Sequence, residues 1–256
     1  MKISPYINHV AAAITLAAAA LGSHAAVAAP VKNIVLVHGY FADGSGWQAV
    51  SNILTRDGYT VSVVQEPETS FDDDVRATTR VVDAQDGPSI LVGHSYGGAV
   101  VTEAGNDDKV AGLVYVAAFQ PDTGERFIDL AKNMPAATTA IKVTADGHLY
   151  FDEAMFHADF AADVPAAEAK FMAISQVMPA AQSSAVPITH AAWRTKPSWA
   201  VVATADRAIN PDLERFMTKR AGSTTIEINS SHVAYISHPA EVAKLIEQAA
   251  TQSRKE

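Results

Sequence analysis

The stretch Ser89 to Val101, reading SILVGHSYGGAVV, constrains this chain more than any other. A short apolar run, Ser89 to Val92, fits a buried parallel strand. Gly93-His94-Ser95-Tyr96-Gly97 follows as G-x-S-x-G, and Gly98-Ala99-Val100-Val101 begins a helix. This is the nucleophile elbow, a strand-to-helix turn that lifts one serine above the sheet. The serine takes a strained backbone conformation and its flanks come close to the chain. Glycine at 93 and 97 removes the Cβ atoms that would collide there. The helix N-terminus aims free N–H groups and partial positive charge at Ser95, which favours an oxyanion. The competing reading is a glycine-rich turn without chemistry. Partners elsewhere in the chain must decide between them.

Composition narrows the class. The chain has 256 residues, no cysteine and a formal net charge of −9. The length suits one medium domain. The acidic balance argues against nucleic acid and anionic membrane surfaces as partners. Without cysteine there is no disulfide, thiolate metal site or cysteine nucleophile. Residues 1–29 read as a cleaved signal peptide. Lys2 precedes an Ala-rich apolar run from Val10 to Leu21, and cleavage is expected after Ala25 or Ala28. The run is short for a membrane span, which disfavours an uncleaved anchor. The expected location is periplasmic or secreted, with no stable membrane association after cleavage.

Strands and helices alternate along the next hundred residues. Lys32 to Val37 is an apolar run, so a strand buried on both faces. His38-Gly39-Tyr40-Phe41 follows it, where backbone N–H groups can complete an oxyanion hole. The two donors are assigned to Tyr96 and Tyr40, with Phe41 as substitute for Tyr40. His38 reads as structural rather than as a base. A helix spans Gln48 to Asp57, a strand Thr60 to Val64, and a helix Ser70 to Gln85. Asp72, Asp73 and Asp74 stand in the first turn of that helix and are read as solvated. Val110 to Ala118 is another buried strand. This alternation predicts an α/β fold with a mostly parallel sheet and helices on both faces. Ligands on such sheets lie at the carboxyl ends of strands, where Tyr40 and Ser95 both fall.

Residues 121–196 interrupt the alternation with methionines and aromatics, punctuated by Pro135, Pro165, Pro179 and Pro187. Helices are expected over Asp152 to Phe160 and Ala166 to Val177, forming a lid over the site. Phe41, His94, Phe119, Met155 and Phe156 are the candidate substrate contacts. Beyond the insertion, Trp199 to Ala203 is a strand with Asp206 just past it. Asn210-Pro211 starts a helix through Ala221. Thr224 to Ile228 is the last strand, His232 follows it, and Pro239 to Ala250 is the closing helix. Ser95, Asp206 and His232 thus each follow a strand, in the α/β-hydrolase triad's chain order. Asp122, after the strand that follows the elbow helix, competes with Asp206 for the acid. His238 reads as a helix cap, and His148, His157 and His190 as surface or packing residues.

The chain resembles the α/β-hydrolase superfamily. It is similar to small lidded serine esterases, a group that also holds plant methylesterases and hydroxynitrile lyases. The resemblance rests on Val35-Leu-Val-His38-Gly39, Gly44-Ser-Gly-Trp47, Gly93-His-Ser-Tyr-Gly-Gly98, Ala117-Ala-Phe119, Pro121-Asp122 and Ser230-Ser-His232. It spans roughly Val31 to Ala250. It implies a six-stranded sheet and cofactor-free cleavage of a small-molecule ester through an acyl-enzyme, without metal. The cyanohydrin-cleaving relatives carry threonine at the position of Gly39 and lysine at that of Val233. This chain departs from both, which turns the reading toward esters. A lyase, perhydrolase or carbon–carbon hydrolase on the same three residues, or a non-catalytic ligand-binding member, are the alternatives.

Overall fold

The computed structural model describes residues 1–2 and 31–253. The leader expected over residues 1–29 lies, from residue 3 onward, outside the described residues. From Asn33 the chain lays down β1 (Asn33–Val37), α1 (Gln48–Arg56), β2 (Thr60–Val63), α2 (Phe71–Asp83), β3 (Ser89–His94), α3 (Gly97–Ala104) and β4 (Val110–Val116). The insertion supplies α4 (Phe127–Asn133), β5 (Ile141–Val143), β6 (Leu149–Phe151), α5 (Glu153–Asp159) and α6 (Ala166–Ser175). The chain then completes the domain with β7 (Ser198–Ala203), α7 (Pro211–Ala221), β8 (Thr224–Ile228), α8 (Ala234–Ser237) and α9 (Pro239–Gln252).

Six strands form one parallel sheet in the order β2-β1-β3-β4-β7-β8. Burial follows position. Every residue of β1, β3 and β7 is buried, as continuous apolar runs require, whereas the edge strands β2 and β8 are largely open. The helix α9 packs on β3, β4 and β7 and against α1, while α3 packs on β1, β3 and β4 and against α2. The elbow helix can lie this close because six of its first seven residues, Gly97 to Val101 and Thr102, are buried and mostly small.

Three boundaries differ from expectation for local reasons. The strand read to Ala118 ends at Val116, because Ala117 turns to a left-handed φ of 45°. The strand at the elbow runs two residues beyond Val92, to His94, paired with β4 as far as Val116. The insertion is not purely helical. Its β5–β6 hairpin pairs Ile141 with Phe151 and carries a turn closed by Thr144 and Gly147. Asn210 caps α7 with Pro211 at its first turn, and Gly222 ends it at φ 67°.

Candidate active site

Ser95 stands between β3 and α3 with φ 52°, the strained conformation that an elbow demands. A Cβ on Gly93 would lie 2.4 Å from the Gly97 carbonyl oxygen, and one on Gly97 would lie 2.4 Å from that of His38. The turn is held from both sides. Ser95 N–H donates to Val116 O at 3.3 Å, and Phe119 N–H donates to Ser95 O at 3.1 Å.

His232 follows β8 and Asp206 follows β7. Ser95 Oγ lies 2.8 Å from His232 Nε2, and His232 Nδ1 lies 2.6 Å from Asp206 Oδ2. The other carboxylate oxygen accepts the N–H groups of Ala208 at 2.7 Å and Ile209 at 2.9 Å. All three side chains are buried. An ionised Asp206 can only accept, so Nδ1 carries a proton and Nε2 is free to receive the serine's. Asp122 is not near this line. It is forked by Arg194 at the surface, which holds its carboxyl below the usual range.

Behind Asp206 sits Glu214 of α7, buried, with one oxygen accepting Ala203 N–H at 3.1 Å. Burial and the charge of Asp206 push its carboxyl well above the usual range. Its other oxygen is buried without a hydrogen-bond partner among the described residues. Its position was legible in principle. It shares the buried face of α7 with Leu213, Met217 and Thr218.

The elbow's neighbours are also fixed by their side chains. Tyr40 and Tyr96 stack with ring centroids 4.0 Å apart. Tyr96 O–H donates to Asp74 at 2.7 Å, and Tyr40 O–H shares a hydrogen bond with Ser183 of the insertion. Among the described residues, the N–H groups of Tyr40, Phe41 and Tyr96 have no acceptor. Phe41 takes a φ of 63°, which turns the loop after β1 back over the site.

Asp74 is the correction here. Read as solvated, it is fully buried, on the same face of α2 as Phe71, Ala77, Thr78 and Val82. It accepts from Tyr96 and from Glu68 N–H at 2.8 Å, and burial raises its pKa to about 6. Asp72 and Asp73 do face outward, and Ser70 caps the helix. Beside Asp74 lie Glu66 and Glu68, neither singled out by the sequence, with all four carboxyl oxygens buried and without a hydrogen bond, and His38 Nδ1 3.6 Å from Glu68 Oε1. Donor atoms of His38, Glu66 and Glu68 lie within 4.8 Å of one another, a spacing a metal ion could span. The imidazole opposes this. His38 Nε2 accepts Glu66 N–H at 3.0 Å, so the proton is on Nδ1, the atom that would have to ligate. Its other bond, Nδ1–H to Gly39 O at 3.1 Å, pins the loop, as a structural histidine would.

A cavity of about 760 Å³ opens over Ser95 and His232. Tyr40, Phe41, Tyr96, Phe119, Phe127 and Phe160 supply its aromatic wall, and Lys132 stands among the lining residues. Of the five candidate substrate contacts, Phe41 and Phe119 line this cavity. The other three candidate contacts do not. Met155 is 43% exposed on the lid's outer surface, and Phe156 is buried in the lid's own core against Phe151 and Phe160. His94 lies behind His232, donating from Nε2 to His232 O at 3.1 Å. Burial, and then His232, hold it neutral well below its ordinary pKa. Phe160, an insertion aromatic outside the five candidate contacts, meets the His232 ring edge-on at 4.9 Å.

A family model described as the alpha/beta hydrolase family matches residues 34–245. No curated protein matches the chain by sequence. Among solved structures, a pyrethroid hydrolase from Sphingobium faniae JZ-2 is 23% identical with a TM-score of 0.76, covering 87% of this chain and 98% of its own. A methylesterase from Arabidopsis is 16% identical with a TM-score of 0.73, covering 86% and 98%. Tomato methylketone synthase I, complexed with 2-tridecanone, is 17% identical with a TM-score of 0.75, covering 88% and 99%. These likenesses are to the backbone course. Sequence model and sheet topology agree across the whole domain, and the chain belongs to the alpha/beta hydrolase family.

Proposed function

We propose that this protein is a serine hydrolase that cleaves carboxylic esters through an acyl-enzyme. One observation carries the reading: Ser95, His232 and Asp206 form a continuous hydrogen-bonded line that opens into an apolar cavity. His232 Nε2 takes the Ser95 proton as Oγ attacks the ester carbonyl. Asp206 holds the Nδ1–H tautomer and stabilises the imidazolium. The unpartnered N–H groups of Tyr96 and Tyr40 receive the oxyanion, each contributing ~3 kcal/mol to the transition state. His232 returns its proton to the departing alcohol, then activates water to release the acyl group. The proteins of similar fold include a pyrethroid hydrolase and a methylesterase, which supports the same chemistry.

Cyanohydrin cleavage fits this geometry poorly. A Cβ at Gly39 would lie 2.6 Å from the Ser95 Cβ, so a threonine there would displace the nucleophile. Val233 is fully buried and supplies no cation beside His232. The test is a panel of p-nitrophenyl esters of graded chain length, with cyanohydrins and peracids alongside. Ser95→Ala should fold normally and lose several orders of magnitude in turnover. Ester hydrolysis that survives the substitution would sink the proposal. Turnover that is negligible in the wild type would instead favour a ligand-binding role. Export to the periplasm or exterior is part of the same proposal and is supported by the leader-like residues 1–29.

A further inference from the structure

We propose that Asp159 and Asp163 of the lid are positioning residues that align His232 and Asp206. This inference rests on the reading of Ser95, His232 and Asp206 as the catalytic line. The two carboxylates flank one short turn between α5 and α6. Asp159 Oδ1 accepts from Arg207 Nε at 2.7 Å, and its Oδ2 accepts from Thr138 Oγ1 at 2.7 Å. Arg207 is the residue directly after Asp206, and its carbonyl accepts Thr138 N–H at 2.9 Å. Asp163 grips the other loop. Its Oδ2 accepts Ser231 N–H at 3.0 Å and its Oδ1 accepts the Ser231 hydroxyl. Ser231 directly precedes His232. Between the two aspartates, Phe160 sets its ring against the imidazole.

Three residues within one five-residue stretch of the lid therefore hold the chain at the immediate neighbours of two catalytic side chains and touch the imidazole itself. An isolated surface ion pair adds little to any fold. Asp159 is not of that kind. Its side chain is 5% exposed and both of its oxygens are occupied. Asp163 fixes one residue at two points, which determines the direction in which the chain enters His232. His238 Nδ1 stands 3.8 Å from the same carboxylate, from the far side of α8. A lid lifted as a body would release both grips and the ring together. These contacts hold the imidazole in line only while the lid is down. Lid closure and activation of Ser95 become one event.

The experiment compares wild type with Asp163→Ala, Asp163→Asn and Asp159→Ala, using Asp122→Asn, in the lid's surface pair with Arg194, as a control. Three quantities are read: the rate of covalent labelling by a fluorophosphonate, kcat and KM on a p-nitrophenyl ester, and the NMR signal of the His232 Nδ1 proton. Either alanine variant should slow labelling and kcat about tenfold or more, the scale of a displaced catalytic group, with KM changed far less. The Nδ1 proton should broaden or vanish through exchange with water. Asp163→Asn keeps an acceptor for Ser231 and should recover part of the rate. The control should match wild type. Should Asp163→Ala fail to fold, Ser231→Ala removes only the hydroxyl half of the grip and should slow labelling severalfold. An unchanged labelling rate and Nδ1 signal in the folded variants would overturn the inference. A wild type that resists labelling while the Nδ1 signal still responds to Asp163 would remove the esterase reading and leave the positioning role standing.

Discussion

Replacing Glu68 with glutamine should stabilise this protein, by an amount that grows with pH. Glu68 and Glu66 lie buried beside Asp74 with no hydrogen-bond partner on either carboxyl. Burial first, and then the charge of Asp74, push Glu68 up to about 10. The unfolded chain returns it to an ordinary value near ~4.3. The folded state therefore binds a proton that the unfolded state has released throughout the window between these values. Stability falls as pH rises across that window, by about 1.4 kcal/mol per pH unit for one such group. The accumulated cost at pH 7 is about 3 to 4 kcal/mol, a sizeable part of the ~5–15 kcal/mol of a typical domain. Below pH 4 the cost disappears. Glutamine keeps the shape and carries no charge, so it removes the slope at that site. Urea unfolding of wild type and Glu68→Gln at pH 5, 7 and 9 measures this directly. The two should differ by about 1 kcal/mol at pH 5 and separate steadily above it, with the variant the more stable. Parallel stability curves over the whole range would refute the account of Glu68 as a buried neutral acid.

Glu214→Gln should retain most activity, because the amide keeps the shape and its oxygen still accepts from Ala203 N–H. Glu214→Ala should lower kcat about tenfold and broaden the His232 Nδ1 proton signal, since it leaves a buried gap beside the charged acid. Phe156→Ala should cost about 3–5 kcal/mol in urea unfolding as a fully buried lid residue, whereas Met155→Ala should change stability by no more than ~0.5 kcal/mol. Equal losses at the two positions would contradict the lid packing described above. Expressed from Met1 in a secreting host, the protein should have an intact mass that begins at Ala26 or Ala29. A mature chain that retains Met1 or Lys2 would rule out cleavage.

The sheet was legible because a strand buried on both faces can hardly be written except as an apolar run. Ile34 to Val37 and Trp199 to Ala203 both read that way. The loops after those strands were legible for a related reason. In a parallel sheet the strand ends share one side, so residues placed just past them must meet. The helices were harder wherever a carboxylate occupied a buried face. Asp74 and Glu214 contradict the polar-out pattern, and only the company of Phe71, Val82 and Met217 marks them. The lid was the least legible part. Met155 and Phe156 are adjacent and both apolar, so composition could not say which turns inward. Three-residue strands such as Ile141–Val143 carry too short a pattern to stand out from a loop. Asp159 and Asp163 look like ordinary surface acids, and their roles follow only from where the lid lands.

The lid leaves the sheet after β4 and returns at β7, and these strands are neighbours, with Val116 beside Val201. Its two attachment points are therefore side by side, and on backbone grounds the whole segment could be exchanged like a cartridge between related scaffolds. The contacts with Ser231, Arg207 and Tyr40 set the condition for such a graft. A transplanted cartridge that brings a new cavity wall without its two aspartates would recognise a new molecule and leave the serine beneath it idle.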